Sequence, residues 1–323
     1  MKNYFVLNPA AGKGKEQITL EKEIERVCTE RNADFEIYHT TCPKDAEEYV
    51  RRTASAGEGE QMRFYLCGGD GTFNEGVNGS VGISGVACGV IPVGTGNDFT
   101  RNFTSRERFW DIGAQLDGKT MKCDLIKYGE RYCVNALNSG FDCMAAKYAS
   151  ELKRKVPCGL AYIAGIAKSL IKMPGVKPKV TVNGELIIDK EAILICVANG
   201  SFYGGGFKSA PFGSLDDGKM QLNAISMVSR LDFARLVSSY KNGTFVVEKN
   251  RGILDYSVCR SAVVDFGCET AVSIDGEIEY HSSLELSVAP AAFDFIVPAG
   301  CEQLKNPDAP SLVRDMTAES AVV

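Results

Sequence analysis

The first part of the chain, up to about residue 122, alternates between short apolar runs and amphipathic stretches. The spacing predicts helices over about 17–31, with Leu20, Ile24 and Val27 on one face, and over about 44–55. Each run ends in a polar or glycine-rich turn. This order is typical of an α/β domain whose functional loops lie at the carboxyl ends of its strands. Four runs predict buried strands: 3–8, 35–38, 63–67 and 86–91.

The pattern then changes, because short strand-like segments follow one another with only turns between them. A helix-like insert spans roughly 142–172. Closely spaced strands of this kind predict an antiparallel, β-rich domain that is sandwich-like or barrel-like. The segments lie at 123–128, 131–137, 178–183, 186–189, 192–198, 220–226, 258–266, 270–275 and 283–288.

Length and pattern together predict two domains and a tail. A chain of 323 residues exceeds the usual size of one hydrophobic core. We expect an α/β domain over 1–125 and a β-rich domain over 126–290. A polar C-terminal segment follows over 291–323, and its last residues are expected to be disordered.

Composition narrows the function. A formal net charge of −5 argues against a nucleic-acid partner, which needs a basic surface. No apolar stretch approaches the roughly 18 residues of a transmembrane span, and the first apolar run ends too soon for a signal peptide. The 12 cysteines form no C-x-x-C pair, which favours reduced thiols in the cytosol. We therefore expect a soluble, cytoplasmic protein.

The first candidate site is the glycine-rich turn 68–72, directly after the third predicted strand. Adjacent glycines let the backbone approach a ligand closely, and N–H groups at a helix start favour phosphate. Asp70 in such a turn suggests a divalent cation that bridges it to the phosphates. The alternative interpretation is a tight turn in which Asp70 caps the helix.

Two further glycine turns, 8–14 and 94–98, each follow a strand of the same predicted sheet. We expect all three turns to gather at one edge and to form a nucleotide-phosphate site, with contributions from the Thr95 hydroxyl and the Asp98 carboxylate. Neither a Walker sequence nor a protein-kinase glycine loop over a V-A-I-K strand occurs, so the site belongs to neither of these common classes.

Two acidic turns in the second half are also candidates. In the turn 209–219, Asp216 and Asp217 offer oxygen ligands that suit Mg²⁺ or Ca²⁺, although a plain hairpin turn is the alternative. Further on, Glu277 in an Asp-Gly-Glu turn is a candidate general base for a substrate hydroxyl, and a solvated surface turn is the alternative. With two histidines and no G-x-S-x-G elbow, the chain must rely on carboxylates for acid–base chemistry.

Five motifs in order make the chain similar to the soluble diacylglycerol kinase family of lipid kinases. They are N-P-A-A-G-K-G, G-G-D-G-T-x-N-E-x-x-N-G, P-V-G-T-G-N-D-F, Y-G-G-G-F-x-x-A-P-x-x-x-L-D-D-G and I-D-G-E. The similarity covers about residues 1–300. It implies an N-terminal domain that binds ATP in the manner of NAD kinases, a β-rich C-terminal domain, and a last segment that packs back on the first domain.

The resemblance also implies roles for individual residues. Glu277 matches the family's catalytic base, while Asp70 and Asp98 resemble acids that link the nucleotide to a metal network. The implied Mg²⁺ ligands are the side chain of Asp217 and the backbone carbonyls of Ser214 and Lys219. The implied ATP contacts are Asn8, Pro9, Ala10, Ala11, Gly12, Thr40, Gly68, Gly69, Asp70, Gly71, Thr72, Phe73, Thr95 and Asp98.

The predicted reaction is transfer of the ATP γ-phosphoryl group to a lipid hydroxyl, above all that of diacylglycerol, which gives phosphatidic acid. A sphingoid or other lipid acceptor, a NAD kinase and a catalytically silent nucleotide- or lipid-binding regulator are alternatives. The segment 153–179 combines an apolar helix face with basic residues that suit an anionic membrane surface. An ordinary core helix is the alternative there. The resemblance also suggests a homodimer.

Overall fold

A computed structural model describes residues 1–12, 15–57, 59–152 and 158–318. The chain divides into two compact units. Unit 1 comprises Met1–Leu125 and Ala289–Lys305, and unit 2 comprises Ile126–Val288 and Asn306–Val323. Each unit is therefore built from two separate stretches of sequence.

Unit 1 is a parallel α/β sheet. The strands lie in the order β2, β1, β3, β4, and the last part of a long strand, β14 (Glu277–Val297), extends the sheet parallel to β4. The elements are β1 (Lys2–Leu7), α1 (Lys15–Glu30), β2 (Phe35–His39), α2 (Asp45–Ala56), β3 (Met62–Gly68), α3 (Asp70–Ser80), β4 (Val86–Pro92), two 3₁₀ segments (Phe99–Asn102 and Arg106–Trp110) and α4 (Ile112–Leu116).

The apolar pattern of the first 122 residues places these elements correctly. Residues Leu20, Ile24 and Val27 of α1 are all buried, as their helical spacing predicts. Every residue of β4 is buried, which explains its uninterrupted apolar run. The predicted parallel α/β sheet is confirmed.

Unit 2 is mainly antiparallel. Its strands lie in the order β15, β12, β11, β10, β7, β13, β14, with the β8–β9 hairpin on β13 and β5 paired with β14 and β6. Two strands belong to unit 2 only in part: β5 (Lys119–Tyr128), which lies in unit 1 up to Leu125, and β14, which lies in unit 1 from Ala289. The other elements are β6 (Arg131–Cys133), β7 (Ala136–Gly140), α5 (Phe141–Leu152), α6 (Cys158–Lys172), β8 (Lys179–Val182), β9 (Glu185–Asp189), β10 (Ala192–Ala198), β11 (Met220–Ser226), α7 (Arg230–Lys241), a 3₁₀ segment (Glu248–Asn250), β12 (Leu254–Cys259), β13 (Ser261–Ile274) and β15 (Arg314–Asp315).

Strand β10 shows how the unit 2 core is organised. Ile195 and Val197 belong to a cluster on one face of the sheet, while Leu194 and Cys196 belong to a cluster on the other face with α7. Because both faces are covered, β10 is buried along its whole length. The predicted β-rich second domain is confirmed.

Three features of unit 2 differ from the sequence prediction. The segments 258–266 and 270–275 belong to the strands β12 and β13, and 283–288 is the middle of the much longer β14. Helix α7 was not predicted at all. Its signal is present, because the Ser229 side chain accepts a hydrogen bond from the Asp232 N–H as an N-cap.

Candidate functional site

The three glycine turns follow β1, β3 and β4 at the carboxyl edge of the unit 1 sheet. From β1 the chain moves outward to β2, whereas from β3 it moves in the opposite direction to β4. The gap between the ends of β1 and β3 is therefore a topological switch point. In open α/β sheets, ligands bind in the crevice at such a point.

The Asp70 carboxylate connects the 68–72 turn to the 94–98 turn. Its Oδ2 accepts a hydrogen bond from the N–H of Asn97, and its Oδ1 accepts one from the N–H of Asp98, both at 2.8 Å. Gly69, rather than Asp70, occupies the N-cap position of α3. The alternative interpretation of Asp70 as a simple helix cap is therefore wrong, and its carboxylate instead fixes the backbone of the 94–98 loop.

Direct contacts join the remaining loops. The Asn8 side chain donates to the Thr72 hydroxyl at 2.8 Å and accepts from the N–H of Ala10 at 3.0 Å. The N–H groups of Val93 and Gly94 donate to the carbonyl of Gly68 at 3.0 and 3.2 Å. All three loops thus hold one another in place before any ligand arrives.

Glycine is required where these loops meet. A Cβ on Gly94 would overlap the Cα of Gly69, and a Cβ on Gly96 would lie 2.6 Å from the Asp70 carboxylate. A Cβ on Gly68 would collide with the Thr72 side chain. The close approach of bare backbone is the form of a phosphate-binding loop.

Other sequence-predicted ATP contacts divide into two groups. Pro9, Ala10, Gly12 and Thr95 are exposed on the loops, and Ala11, Thr40 and Gly71 are partly exposed. Phe73, in contrast, is buried, and its ring packs against Phe99 with ring centroids 4.8 Å apart. Only the backbone of Phe73 can face a ligand. Lys13 and Gly14 of the first turn lie outside the described residues.

Asp98 is buried as well and has a partner of its own. Its Oδ1 accepts a hydrogen bond from the Arg101 guanidinium at 3.0 Å. The structure therefore places this carboxylate against a side chain of the protein.

In unit 2, Asp275 fixes the turn that precedes Glu277. Its carboxylate accepts hydrogen bonds from the N–H groups of Val134 at 2.6 Å, Asn135 at 2.9 Å and Ala136 at 3.1 Å. Asp275 and Gly276 both have positive φ angles, 47° and 91°, as a two-residue hairpin requires. Glu277 is exposed on the first residue of β14. The buried acid thus holds the exposed acid in position.

The turn 209–219 presents oxygen atoms at the surface. The exposed Asp217 accepts a hydrogen bond from the N–H of Lys219 at 3.0 Å, and Asp216 accepts one from the Ser214 hydroxyl at 2.7 Å. No group of three or more His, Cys, Asp or Glu side chains that could hold a metal ion is found among the described residues. A cation here would rely on backbone carbonyls for much of its coordination.

The two acidic turns lie at the same end of the unit 2 sheet, on strands that are not neighbours. Ile274 pairs with Leu137, Leu137 with Val197, and Val197 with Leu222. Three strand spacings therefore separate β13 from β11, or about 14 Å. A hydrogen-bonded relay spans this distance. The Ser201 hydroxyl donates to the Gly213 carbonyl, and the N–H of Gly200 donates to the Asn135 carbonyl.

The segment 153–179 lies only partly within the described residues, and Lys153, Arg154 and Lys155 fall outside them. The apolar side chains of Ile166 and Leu170 on α6, and of Met173 directly after it, pack against a core cluster that includes residues of α7. Ile171, in contrast, is 74% exposed beside the exposed Lys172. In the part of the chain that is described, no helix is long and apolar enough to cross a membrane.

Sequence reasoning missed a polar cluster at the start of α5. Tyr203 donates a short hydrogen bond to Asp142, and the hydroxyl groups of Tyr203 and Tyr240 lie 3.2 Å apart. Burial raises the pKa of Asp142 to about 6, while the hydrogen bond from Tyr203 opposes the rise. The available signal was Asp142, two residues after the end of β7 and in the first turn of α5.

Two family models match the chain. The diacylglycerol kinase catalytic domain matches residues 2–128. The YegS C-terminal NAD kinase beta sandwich-like domain matches residues 135–297. The first match contains all three glycine turns, and the second contains both acidic turns.

Individual relatives agree with these matches. A "Probable lipid kinase YegS-like" of Shewanella frigidimarina is 26% identical over 253 residues, 74% of this chain and 77% of the relative. A diacylglycerol kinase of Bacillus subtilis is 25% identical over 282 residues, 84% of this chain and 88% of the relative. The crystal structure of a diacylglycerol kinase from Bacillus anthracis matches with a TM-score of 0.68 at 20% identity, covering 91% of this chain and 96% of that chain. This last likeness shows the fold alone.

Proposed function

The chain belongs to the lipid kinase family that joins a diacylglycerol kinase catalytic domain to a YegS-type C-terminal domain, and on that premise we propose that it transfers the γ-phosphoryl group of ATP to the hydroxyl of diacylglycerol. The observation that carries the proposal is the meeting of three bare-backbone loops at the switch point of the unit 1 sheet.

The meeting place of the three glycine turns suits ATP. Phosphoryl transfer depends on positioning and charge stabilisation more than on covalent chemistry, and the turns can supply both. The glycine loops offer N–H groups at the start of α3, where the helix dipole favours negative charge. Asp70 acts here as a positioning residue, because both of its oxygens hold the 94–98 loop. The exposed hydroxyl of Thr95, on that loop, is a further donor to the nucleotide.

Glu277 is the proposed general base. The lipid hydroxyl oxygen attacks the γ-phosphorus, the bond from that phosphorus to the β,γ-bridging oxygen breaks, and ADP leaves. The hydroxyl proton passes to the Glu277 carboxylate. Asp275 contributes indirectly, since its three backbone hydrogen bonds fix the turn that presents Glu277.

Mg²⁺ fits the turn that ends at Lys219 by donor chemistry, since a carboxylate and backbone carbonyls are the hard oxygen ligands it prefers. The proposed ligands are the Asp217 side chain and the carbonyls of Ser214 and Lys219. A bound ion would supply positive charge that neutralises the carboxylate of this turn. Independently of any ion, the hydrogen bonds of Ser201 and Gly200 connect the turn to the segment that binds Asp275.

The test of the reaction is transfer of ³²P from labelled ATP to a panel of diacylglycerol, monoacylglycerol, ceramide and sphingosine. Label in diacylglycerol supports the proposal. Label in sphingosine or ceramide alone would favour the sphingoid alternative. Label in no lipid, from a protein that binds ATP, would contradict the proposal and favour a silent regulator.

The test of the base is Glu277→Gln, which keeps the shape of the side chain and removes its basicity. We expect kcat to fall by about 10²–10⁴-fold. Glu285→Gln is the matched control, because Glu285 is another exposed glutamate on β14. A near-normal kcat in folded Glu277→Gln protein would refute the assignment.

We also propose a contact with anionic lipid at the junction of α6 and α7. The Arg230 guanidinium donates to the carbonyls of Leu170 and Ile171, and this places the exposed Ile171 near Leu231, which is 61% exposed. Lys172 adds positive charge to this apolar pair. A cytoplasmic protein that binds membranes only peripherally would need such a surface.

Co-sedimentation with phosphatidylglycerol and with phosphatidylcholine vesicles tests this contact. Lys172→Glu should weaken binding to the anionic vesicles, whereas Lys249→Glu, at an exposed lysine outside α6 and α7, should not. Equal binding by wild type and Lys172→Glu would contradict the contact. The homodimer stays a prediction, which sedimentation equilibrium tests directly.

A further inference from the structure

Two arginines follow the 94–98 loop in unit 1, and neither has a part in the reaction described above. The Nε of Arg101 donates to Asp98 at 3.0 Å, and its Nη2 donates to the carbonyl of Gly96 at 3.4 Å. Asp70 binds the N–H groups of the same loop. Two side chains therefore hold the 94–98 loop. The Asp70 carboxylate binds two of its N–H groups, and the Arg101 guanidinium binds the Gly96 carbonyl and the Asp98 carboxylate.

Arg106, five residues after Arg101, is exposed, so its guanidinium is accessible to a ligand. Its Nη2 donates to the Thr100 hydroxyl at 3.4 Å, which is a long contact. A guanidinium has five N–H donors. Among the ion pairs of the described residues, none involves Arg106, whereas the nearby Arg108 pairs with Asp111 at 3.3 Å.

Arg101 lies close enough to Arg106 to act on its charge. Burial lowers the pKa of Arg106, and the positive charge of Arg101 lowers it further, while Asp98 and Asp70 act in the opposite direction. Two guanidinium groups and two carboxylates thus share this place beside the 94–98 loop. Planar guanidinium groups bind phosphate oxygens in pairs.

The segment that carries the two arginines is fixed to the unit 1 core. The N–H of Thr104 donates to the Glu302 carbonyl at 2.9 Å, and the N–H of Leu304 donates to the Asn102 carbonyl at 2.7 Å. These bonds lie between Arg101 and Arg106 in sequence. The pair is thus held at a set place beside the loop and needs little reordering to bind a ligand.

We propose that Arg101 and Arg106 form a phosphoryl-binding pair that holds the terminal phosphate of ATP. The inference rests on the proposed function, because it places the nucleotide phosphates on the loop that Arg101 contacts. The same chemistry would recognise the phosphate of a phosphorylated lipid product. ATP is the source we expect, since the pair lies in the unit that carries the glycine loops.

The experiment measures equilibrium binding of ATP and of ADP without any lipid acceptor, in wild type, Arg106→Ala and Arg106→Lys. Loss of a charge-assisted contact should weaken ATP binding about 10- to 100-fold in Arg106→Ala. ADP binding should weaken less, and Arg106→Lys should recover part of the ATP affinity. Arg108→Ala is the matched control, because Arg108 lies on the same 3₁₀ segment and pairs with Asp111.

A second arm measures competition by vesicles that contain phosphatidic acid. If ATP binding is unchanged in Arg106→Ala but vesicle competition weakens, the pair binds the phosphate of the lipid product and the assignment to ATP is overturned. If neither changes, the phosphoryl-binding pair itself is overturned. A wild type that binds no ATP refutes the proposed function instead. Arg106→Ala should keep the wild-type Tm, since it loses one long hydrogen bond.

Discussion

The carboxylates of Asp70 in unit 1 and Asp275 in unit 2 both accept backbone N–H groups from a separate loop, but their surroundings differ. Asp70 is partly exposed and accepts two such bonds, from consecutive residues after β4. Asp275 is 8% exposed and accepts three, from consecutive residues that end with the first residue of β7. Water can replace the carboxylate at the first site more readily than at the second.

The different surroundings of the two carboxylates follow from how the loops are arranged at the end of each sheet. In unit 1 the ends of parallel strands meet at a switch point, so the loops touch each other directly. In unit 2 the turn 209–219 and the turn before Glu277 lie at one end of an antiparallel sheet, separated by two strands. Hydrogen bonds from Ser201 and Gly200 connect them. We therefore expect unit 1 variants to change nucleotide affinity and unit 2 variants to change stability or kcat.

The largest expected effect is on stability at Asp275. Asp275→Ala leaves three buried N–H groups without an acceptor, so unfolding free energy should fall by about 4 kcal/mol, against about 1–2 kcal/mol for Asp70→Ala. Urea unfolding measures both values, and Asp275→Asn, which keeps one acceptor oxygen, should fall between wild type and Asp275→Ala. If Asp70→Ala proved the more destabilised protein, the contrast between the two carboxylates would be wrong.

Asp142 is a third carboxylate, held by a phenol instead of backbone N–H groups, and it should make stability depend on pH. Its folded pKa of about 6 lies above the ordinary 3.8, so the folded protein retains a proton that the unfolded chain releases. The stability that this proton provides is complete below 3.8 and is lost as the pH rises through about 6.

Asp142→Asn should therefore gain stability relative to wild type as the pH rises from about 4 to about 7, by up to about 3 kcal/mol. Unfolding measured in parallel across this range isolates the difference, because other groups titrate equally in both proteins. Tyr203→Phe removes the hydrogen bond that lowers the pKa, and it should shift the transition to higher pH. A constant difference between wild type and Asp142→Asn would contradict the raised pKa.

Asp217→Ala tests whether the turn 209–219 affects kcat without affecting the affinity for ATP. We expect kcat to fall about 10- to 100-fold with little change in the apparent affinity for ATP, because the relay leads to the Glu277 turn. Asp216→Ala should have a smaller effect, since Asp216 is not a proposed ligand. A large loss of ATP affinity with unchanged kcat would assign the metal to the nucleotide instead.

Gly94→Ala tests the expectation that unit 1 variants change the affinity for ATP, and it has the smallest expected effect. The added Cβ overlaps the Cα of Gly69, so the loops must separate, and we expect about a tenfold loss of ATP affinity. Gly252→Ala is the control, because no atom lies within 4 Å of its added Cβ. Unchanged ATP affinity in Gly94→Ala would show that the contact between the loops is not needed for binding.

The sequence by itself determined the elements of unit 1, because each depends on local signals. Apolar runs and helical spacing placed β1 to β4, α1 and α2 to within two residues, and the glycine turn 68–72 placed the start of α3. The β-rich character of unit 2 followed from its closely spaced strands. In unit 2 the uninterrupted apolar run 192–198 likewise placed β10 to the residue. The β13–β14 register could not be read in this way, since pairing partners far apart in sequence decide it.

Only the tertiary structure decided what the carboxylates contact. The sequence marks Asp70 and Asp275 as acids in turns, but the N–H groups that they bind are up to 28 and up to 141 positions away. The same holds for Arg106, whose position beside Arg101 depends on bonds between Thr104 and Glu302. A local pattern specifies backbone conformation and burial, whereas the charge environment of a side chain depends on loops that the fold brings together.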